Sequence, residues 1–253
     1  MAKAQLATIE LPDFGMPDAM PDLPAALYAA RRHRLGRRMA ERGIDRLVLY
    51  ADREHSANLA WLSGFDPRFE EAILILGVDD DPLLLAGNEC VGMGETAPLP
   101  MRVELWQDLS LPGQPRDRSR PIDDILAAEG VTRRSRVGIV GWKPYSDRSW
   151  LDVPSFLADA LREAVGAEGV VENAVELLID PRDGLRTTNE PEQLAAFEYA
   201  ACHTSAGVKR LLFGLRPGMT EQEAVALLGW TGAPLSCHLM LSSGPRAGRG
   251  LLS

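Results

Sequence analysis

Blocks of apolar residues separated by polar segments run through the first two thirds of the chain and predict helices and strands in turn. Apolar positions recur at helical spacing over 25–42, and Gly43 follows, as glycine often does just past a helix end. Further helices are predicted at 121–129 and 155–165. Short, nearly continuous apolar runs predict buried strands at Leu47–Tyr50, Ala72–Leu76, Pro82–Ala86, Val103–Trp106, Arg136–Val140 and Val170–Ala174. This alternation indicates a mixed α/β domain of about 150 residues.

Two of these runs, Ala72–Leu76 and Pro82–Ala86, are separated by a polar segment that contains three aspartates, Asp79–Asp81. Two apolar runs around a short polar segment predict an antiparallel hairpin. The aspartates lack the spaced oxygen ligands of a calcium loop, so we interpret them as the turn.

The pattern changes after residue 179, where Asp180–Gly184 indicates a turn between domains. Asn189 is expected to cap a long helix that ends near Phe213, because Glu192 lies three positions further on. The helix would carry one apolar stripe, formed by Leu194, Phe197, Ala201, Val208 and Leu212. Thr220 and Glu223 predict a capping box for a second helix.

These patterns divide the chain into an extended arm (1–24), an α/β domain (25–179), a linker (180–187) and a helical start of another domain (188–253). Three prolines and four acids occupy the arm through Leu23, which has no apolar signal core. No run approaches the roughly 18 apolar residues that a membrane span needs. We therefore expect a cytoplasmic protein without membrane attachment.

The net charge of -9 argues against nucleic-acid binding and against binding to an anionic membrane. The basic cluster at Arg31–Arg34, with Arg37 and Arg38, alternates with apolar residues at helical spacing. It is therefore predicted to be a solvated helix face. The three cysteines are far apart and show no CxxC spacing, so reduced thiols are expected.

No cofactor-binding or metal-binding residue is predicted for this chain. The four histidines, His33, His55, His203 and His238, lack the close spacing of a zinc site. His238 lies in an apolar run, 235–241, that is predicted to be a strand, and it could line a pocket. A GxGxxA pattern at 92–97 is rejected as a nucleotide site, because Pro98 and Pro100 oppose the helix that such a site requires.

Two stretches together resemble the creatinase and Xaa-Pro aminopeptidase family of pita-bread metallohydrolases. The first comprises 31–49 and Asn58–Phe65, which resembles the N-terminal domain pattern of a basic helix, a strand and an "n..yltGf" motif. The second comprises Arg186–Glu192 and Pro217–Glu223, which resembles the entry into the catalytic domain. A lysine common in this family is replaced near Thr188 or Asn189. The resemblance implies a ribonuclease H-like N-terminal domain followed by an incomplete pita-bread α+β domain.

The resemblance also implies the chemistry. Complete peptidase members hold two divalent metal ions (manganese, cobalt or zinc) with Asp, His and Glu ligands, whereas creatinase members work without metal. Glu223 is the last acid of this chain, and 224–253 contain none. Hard metal ions need carboxylate ligands, so we expect the catalytic residues to lie outside this chain, and the chain itself to be inactive.

Two functions follow as hypotheses. The chain is either the N-terminal part of a Xaa-Pro peptidase-like or creatinase-like hydrolase, or a non-catalytic dimerisation or protein-binding module from that family. In either case a homodimer is expected, and the hydrolase would act on a small peptide or another small molecule. Trp61, Phe65 and Phe69 are predicted as interface or gating residues, on the assumption that they are exposed loop aromatics.

Overall fold

The computed structural model describes residues 7–13 and 15–250 of the chain. The chain divides into two compact units, Leu23–Asn189 and the combination of Met1–Asp22 with Glu190–Ser253. Among the described residues, no helix is both long and apolar enough to cross a membrane. Each unit is built around its own elements.

One mixed sheet forms the centre of the first unit. Its strands are β1 Arg46–Ala51, β2 Ala72–Leu76, β3 Leu83–Ala86, β4 Arg102–Leu105, β5 Arg136–Val140 and β6 Val170–Asn173. Their order is β4-β3-β2-β1-β5-β6, and only the two pairings of β2 are antiparallel. The predicted strands are confirmed to within one residue at either end, and so is the hairpin of β2 and β3.

Helices cover both faces of this sheet. They are α1 Ala25–Glu41, α2 Ala57–Ser63, α3 Val91–Gly94, α4 Ile122–Ala128, α5 Ser155–Val165 and α6 Glu176–Ile179. Short 3-10 turns occur at Gln107–Leu109 and Leu185–Thr187. The predicted helix over 25–42 is confirmed, and Gly43 follows it with a positive φ of 63°.

Two hydrophobic cores lie on opposite faces of the sheet, because successive side chains of a strand point in opposite directions. On one face, Leu47 and Leu49 of β1 pack with residues of α1 and α2. On the other face, Val48 and Tyr50 pack with residues of α4 and α5. The central strands are therefore buried on both sides, which explains their nearly continuous apolar sequences.

The basic face of α1 is not solvated as predicted. Arg31 is only 1% exposed, and its guanidinium lies 4.7 Å from the ring centre of Trp61 and 5.3 Å from that of Tyr28. Arg31 also donates a hydrogen bond to the carbonyl oxygen of Trp61, at 2.7 Å, and Arg32 donates one to the carbonyl of Val78, at 2.8 Å. The prediction is wrong for these two residues because a guanidinium can satisfy buried carbonyls while its stem packs on apolar surface.

The second unit contains α7 Pro191–Gly214, α8 Glu221–Ala226 and a 3-10 segment, Gly244–Arg249. The capping box of α8 is confirmed, with reciprocal hydrogen bonds between Thr220 and Glu223. The predicted cap of α7 is wrong, because Glu190 rather than Asn189 precedes its first turn. A residue before proline favours extended backbone, and Glu190 has φ -76° and ψ 157°, so the helix begins at Pro191.

The apolar stripe of α7 is exposed. Leu194, Phe197, Val208 and Leu212 are each more than half exposed. Within the same unit, residues of the arm between Leu11 and Met16 line a groove of about 900 Å³ along this helix. The stripe therefore forms exposed apolar surface on this helix.

The predicted strand at 235–241 does not form. These residues have no regular secondary structure, and His238 is exposed. A strand needs a partner for its backbone hydrogen bonds, and the described part of this unit contains no other strand. The strand prediction is therefore wrong.

Candidate functional site at the carboxyl edge of the sheet

Five strands of the sheet point in the same direction, so their carboxyl ends share one edge. At this edge the chain continues from β1 into α2, whose residues pack in the core on one face of the sheet. It continues from β5 into α5, whose residues pack in the core on the other face. Neighbouring parallel strands whose connections diverge to opposite faces leave a crevice between their ends, and ligands of open α/β sheets bind in such crevices. A ligand site is therefore expected between the ends of β1 and β5.

A fixed Asp–His pair follows β1. The Asp52 carboxylate accepts hydrogen bonds from the backbone amides of Glu54 and His55, at 2.9 and 2.8 Å. Its two oxygens also lie 3.0 and 3.1 Å from Nδ1 of the His55 ring. These contacts hold the imidazole by Nδ1, which leaves Nε2 as the nitrogen that can meet another molecule.

The segment 141–154, between β5 and α5, forms the opposite wall. The Trp142 ring stacks on His55 with ring centres 4.8 Å apart. The Asp152 carboxylate accepts hydrogen bonds through Oδ2 from the amides of Trp142, at 2.7 Å, and Lys143, at 3.0 Å. Its Oδ1 is shielded from solvent and accepts no hydrogen bond from any described residue. Asp152 therefore folds this segment and retains one unused acceptor.

A cleft of about 330 Å³ opens between these walls. It is lined by Tyr50, Asp52, His55, Gly141, Trp142, Asp152, Val153 and Pro154. This volume is at the lower end of the range of small-molecule sites. The lining combines aromatic and apolar surface with two carboxylates and one imidazole, which suits a small ligand that donates hydrogen bonds.

Tyr50 lies at the base of the cleft. Its hydroxyl donates a hydrogen bond to Oε1 of Glu71. Burial, and secondarily this bond to a carboxylate, raises the pKa of the Tyr50 phenol far above its ordinary value. Tyr50 therefore stays protonated at physiological pH and acts here as a hydrogen-bond donor.

Asn58 connects α2 to the cleft. Its side-chain amide donates to the carbonyl oxygen of Gly141, at 2.7 Å, and its Oδ1 accepts from the Arg186 guanidinium, at 2.5 Å. Burial lowers the pKa of Arg186, and the nearby charge of Arg31 lowers it further. The first residue of the Asn58–Phe65 motif thus fixes the loop that begins the 141–154 wall.

The structure places the predicted gating aromatics differently from expectation. Trp61 lies in α2 and is 8% exposed, and Phe65 is 2% exposed, so the assumption that they are exposed loop aromatics is wrong. Both belong to the core that α1 also joins: Trp61 is part of α2, and Phe65 follows Gly64 just after this helix ends, in a loop that turns its ring inward. Phe69 is 53% exposed, as assumed. A role of these residues in gating or at an interface stays a prediction.

His238 belongs to the second unit and is not a lining residue of the cleft, and its role in a pocket also stays a prediction. Within residues 7–13 and 15–250, no group of three or more His, Cys, Asp and Glu side chains is arranged to hold a metal ion. The GxGxxA segment forms a single helical turn, Val91–Gly94, which ends before Pro98, so the longer helix that a nucleotide site requires does not form there.

The cleft residues were not identified as a site by the sequence analysis. One local signal was present, since Asp52 and His55 are three positions apart directly after a predicted strand. A second was the spacing of Trp142, Tyr145 and Trp150 in a long irregular segment after another predicted strand. Neither signal says that the two segments meet, because that depends on the pairing of β1 with β5.

With this geometry in place, comparison with known proteins identifies the family. The model of the Creatinase/Prolidase N-terminal domain matches residues 31–174. This range is more than half of the chain, so the chain belongs to that family. The predicted family and the predicted mixed α/β fold are thereby confirmed. No curated protein matches the chain.

Solved structures share the fold at low sequence identity. The prolidase from Pyrococcus horikoshii OT3 is 14% identical, with a TM-score of 0.56 over 79% of this chain and 47% of its own. A Xaa-Pro dipeptidase from Bacillus anthracis is 15% identical, with a TM-score of 0.55 over 79% and 47%. Dipeptidase PepE from Mycobacterium ulcerans is 17% identical, with a TM-score of 0.52 over 85% and 49%. The chain spans about half the length of these structures.

Proposed function

We propose that this chain forms the N-terminal domain, and the first helices of the following domain, of a Xaa-Pro dipeptidase-like hydrolase that cleaves a peptide bond or another C–N bond. The observation that carries the proposal is the extent of the structural match. The aligned 79–85% of this chain is larger than the range 31–174, so similarity to the prolidase and dipeptidase structures continues outside the N-terminal domain.

The proposal assigns the metal chemistry to residues other than those described here. A complete protein of this kind would hold two divalent metal ions, manganese, cobalt or zinc, which supply an activated water for attack on the carbonyl carbon. The role of this chain would be structural, in a cytoplasmic homodimer. Phe69, the exposed one of the three predicted aromatics, would make a contact near the substrate entrance.

The test begins with the intact mass of the native gene product. We expect a mass well above the 27.6 kDa of this chain. The native product should hydrolyse a Xaa-Pro dipeptide such as Ala-Pro, lose that activity with a chelator and regain it with manganese, cobalt or zinc. The 253-residue chain by itself should show no hydrolysis. A heavier native product that fails on Xaa-Pro dipeptides with all three metals would contradict the proposal.

A second function, a non-catalytic dimerisation or protein-binding module, is supported by the exposed stripe on α7. Exposed apolar surface of this kind is expected to be covered by another surface. A native mass of 27.6 kDa together with a concentration-dependent dimer in sedimentation velocity would favour this function. A monodisperse monomer that binds no hydrophobic dye would count against it.

A further inference from the structure

The apolar stripe of α7 follows one side of the helix over most of its length. Leu194 and Leu212 are 18 positions apart, which is five turns of an α-helix, and Phe197 and Val208 lie between them on the same side. Each of these four side chains is more than half exposed. The stripe is about 27 Å long at the helical rise per residue. A surface of this kind is expected to contact another surface.

Two opposite charges lie along one flank of this stripe. Glu198 and Lys209 are 11 positions apart, which is about three helical turns, so both side chains leave the helix on the same flank. Both are exposed, and within the described part of the chain neither has an ion-pair partner. The flank is therefore acidic in the N-terminal half of α7 and basic in the C-terminal half.

The stripe is complementary to a reversed copy of itself. When a second α7 runs antiparallel about a two-fold axis at the middle of the helix, Leu194 of each copy faces Leu212 of the other. The same axis brings Phe197 of each copy to Val208 of the other. Each contact occurs twice, because the interface of a two-fold dimer is isologous.

The charges obey the same symmetry. This two-fold axis keeps the charged flank on the same side of both helices, so Glu198 of each copy faces Lys209 of the other and two ion pairs form. In a parallel pair the charged flanks would lie on opposite sides of the interface and would not meet. At the middle of the stripe, Ala201, Thr204 and Ser205 have small side chains, which let two helices approach closely.

A groove along the C-terminal half of α7 provides the space for the N-terminal half of a second copy. Leu11 and Met16 of the arm line this groove together with Val208 and Leu212 of the helix. Its volume of about 900 Å³ is bounded mainly by apolar side chains. The Phe197 ring of the second copy would therefore be covered on two sides.

The charged residues of the groove leave one group for the second copy. The Asp13 carboxylate accepts a hydrogen bond from the backbone amide of Gly15, at 3.0 Å. The Arg210 guanidinium donates to the carbonyl oxygen of Leu228. Lys209 lines the same groove without such a partner. The groove thus presents an apolar floor beside one available ammonium group, which matches the apolar and acidic N-terminal half of α7.

We propose that two copies of this chain dimerise by antiparallel pairing of their α7 helices, with the apolar stripes in contact and an ion pair between Glu198 and Lys209 at each end. The proposal rests on the second function given above, the dimerisation or protein-binding module, and names a second copy as the partner.

The experiment is sedimentation velocity of the full 253-residue chain over a series of concentrations. We expect an equilibrium between monomer and dimer. Glu198→Lys places two lysines at each contact, and because the contact occurs twice, the dimer Kd should rise about tenfold. Lys209→Glu should have a similar effect, and the two changes combined should restore the Kd of the parent.

Two further variants serve as controls. Glu192→Lys makes the same change of charge in the same half of α7, but Glu192 lies about half a turn round the helix from Leu194, so the Kd should stay unchanged. Phe197→Ala removes an exposed ring from the stripe and should raise the Kd at least tenfold. Thermal unfolding of each variant, compared with the parent, shows whether the fold is intact.

Several results would overturn the proposal. A monomer at every concentration would refute both the α7 pairing and the second function. A dimer that Phe197→Ala and the two single charge variants leave unchanged would keep the second function but place the interface elsewhere.

A dimer weakened by Phe197→Ala but by neither charge variant would have another helix orientation. Large particles of mixed size would show non-specific association of the stripe. A heavier native product with the same oligomeric state in both charge variants would mean that the rest of that product covers the stripe. Each of these results would refute antiparallel pairing.

Discussion

Gly64 offers a direct test of the packing at the end of α2. It ends α2 in the left-handed region, with φ +74°, and a Cβ at this position would lie 2.3 Å from Cγ of Pro98. Gly43 ends α1 with a similar φ of +63°, but a Cβ there would meet no atom within 4 Å. The two glycines therefore share the same backbone requirement and differ in the space around them.

The magnitudes follow from that difference. An alanine in the left-handed region costs about 1–2 kcal/mol, so both substitutions should lower the free energy of unfolding by this amount. Overpacking against Pro98 should add about 1–3 kcal/mol for Gly64→Ala only. We therefore expect a loss in the free energy of unfolding of about 1–2 kcal/mol for Gly43→Ala and about 2–5 kcal/mol for Gly64→Ala.

Urea unfolding followed by circular dichroism measures both losses. The comparison is valid where the dependence of the free energy of unfolding on urea concentration has the same slope in both variants and the parent. The prediction depends on the difference between the variants rather than on either value alone. Equal losses would refute the inferred contact between Gly64 and Pro98. A smaller loss for Gly64→Ala than for Gly43→Ala would refute the whole reasoning from backbone and space.

Three further predictions concern buried polar groups. Arg31→Ala should lower the free energy of unfolding by roughly 3 kcal/mol, because two ring contacts and a charged hydrogen bond are lost. Arg37→Ala, on the exposed face of α1, should change it little. Similar urea midpoints for the two variants would contradict this prediction. Because the pKa of Tyr50 is raised in the folded state, its contribution to stability is fully present below the ordinary phenol pKa near 10 and decreases as the pH rises above that value. Between pH 9 and pH 10.5, the urea midpoint should therefore fall by more in the parent than in Tyr50→Phe. Equal slopes would refute it. Ellman's reagent should find one fast-reacting thiol, that of the exposed Cys237, because Cys90 and Cys202 are buried and burial raises the pKa of Cys90 to about 12. Cys237→Ser should remove the fast reaction, and a fast thiol that remains in this variant would contradict the prediction.

The strands could be predicted from sequence because the sheet is buried on both faces. Apolar runs such as Ala72–Leu76 are continuous, and no helix-like period competes with the interpretation. The polar turn at Asp79–Asp81 also marks the hairpin, because its two strands are neighbours in sequence as well as in space. Local pattern and final structure agree wherever pairing is local.

Arg31 shows where this reasoning fails. A helix pattern treats every arginine as a solvent-exposed polar residue. The buried guanidinium of Arg31 instead donates a hydrogen bond to the Trp61 carbonyl and contacts two aromatic rings. Trp61 is missed for the same reason, since a tryptophan near a glycine-containing motif suggests a loop until the α1–α2 contact is known. Both errors come from tertiary contacts between segments that are 30 residues apart.

The cleft lies beyond local pattern for a further reason. Asp52 and Asp152 are far apart in the chain and meet only because β5 pairs with β1 rather than with β4, its predecessor. The same pairing sends α2 and α5 to opposite faces and so creates the crevice. The cleft therefore exists because of the sheet order, and both belong to the unit Leu23–Asn189.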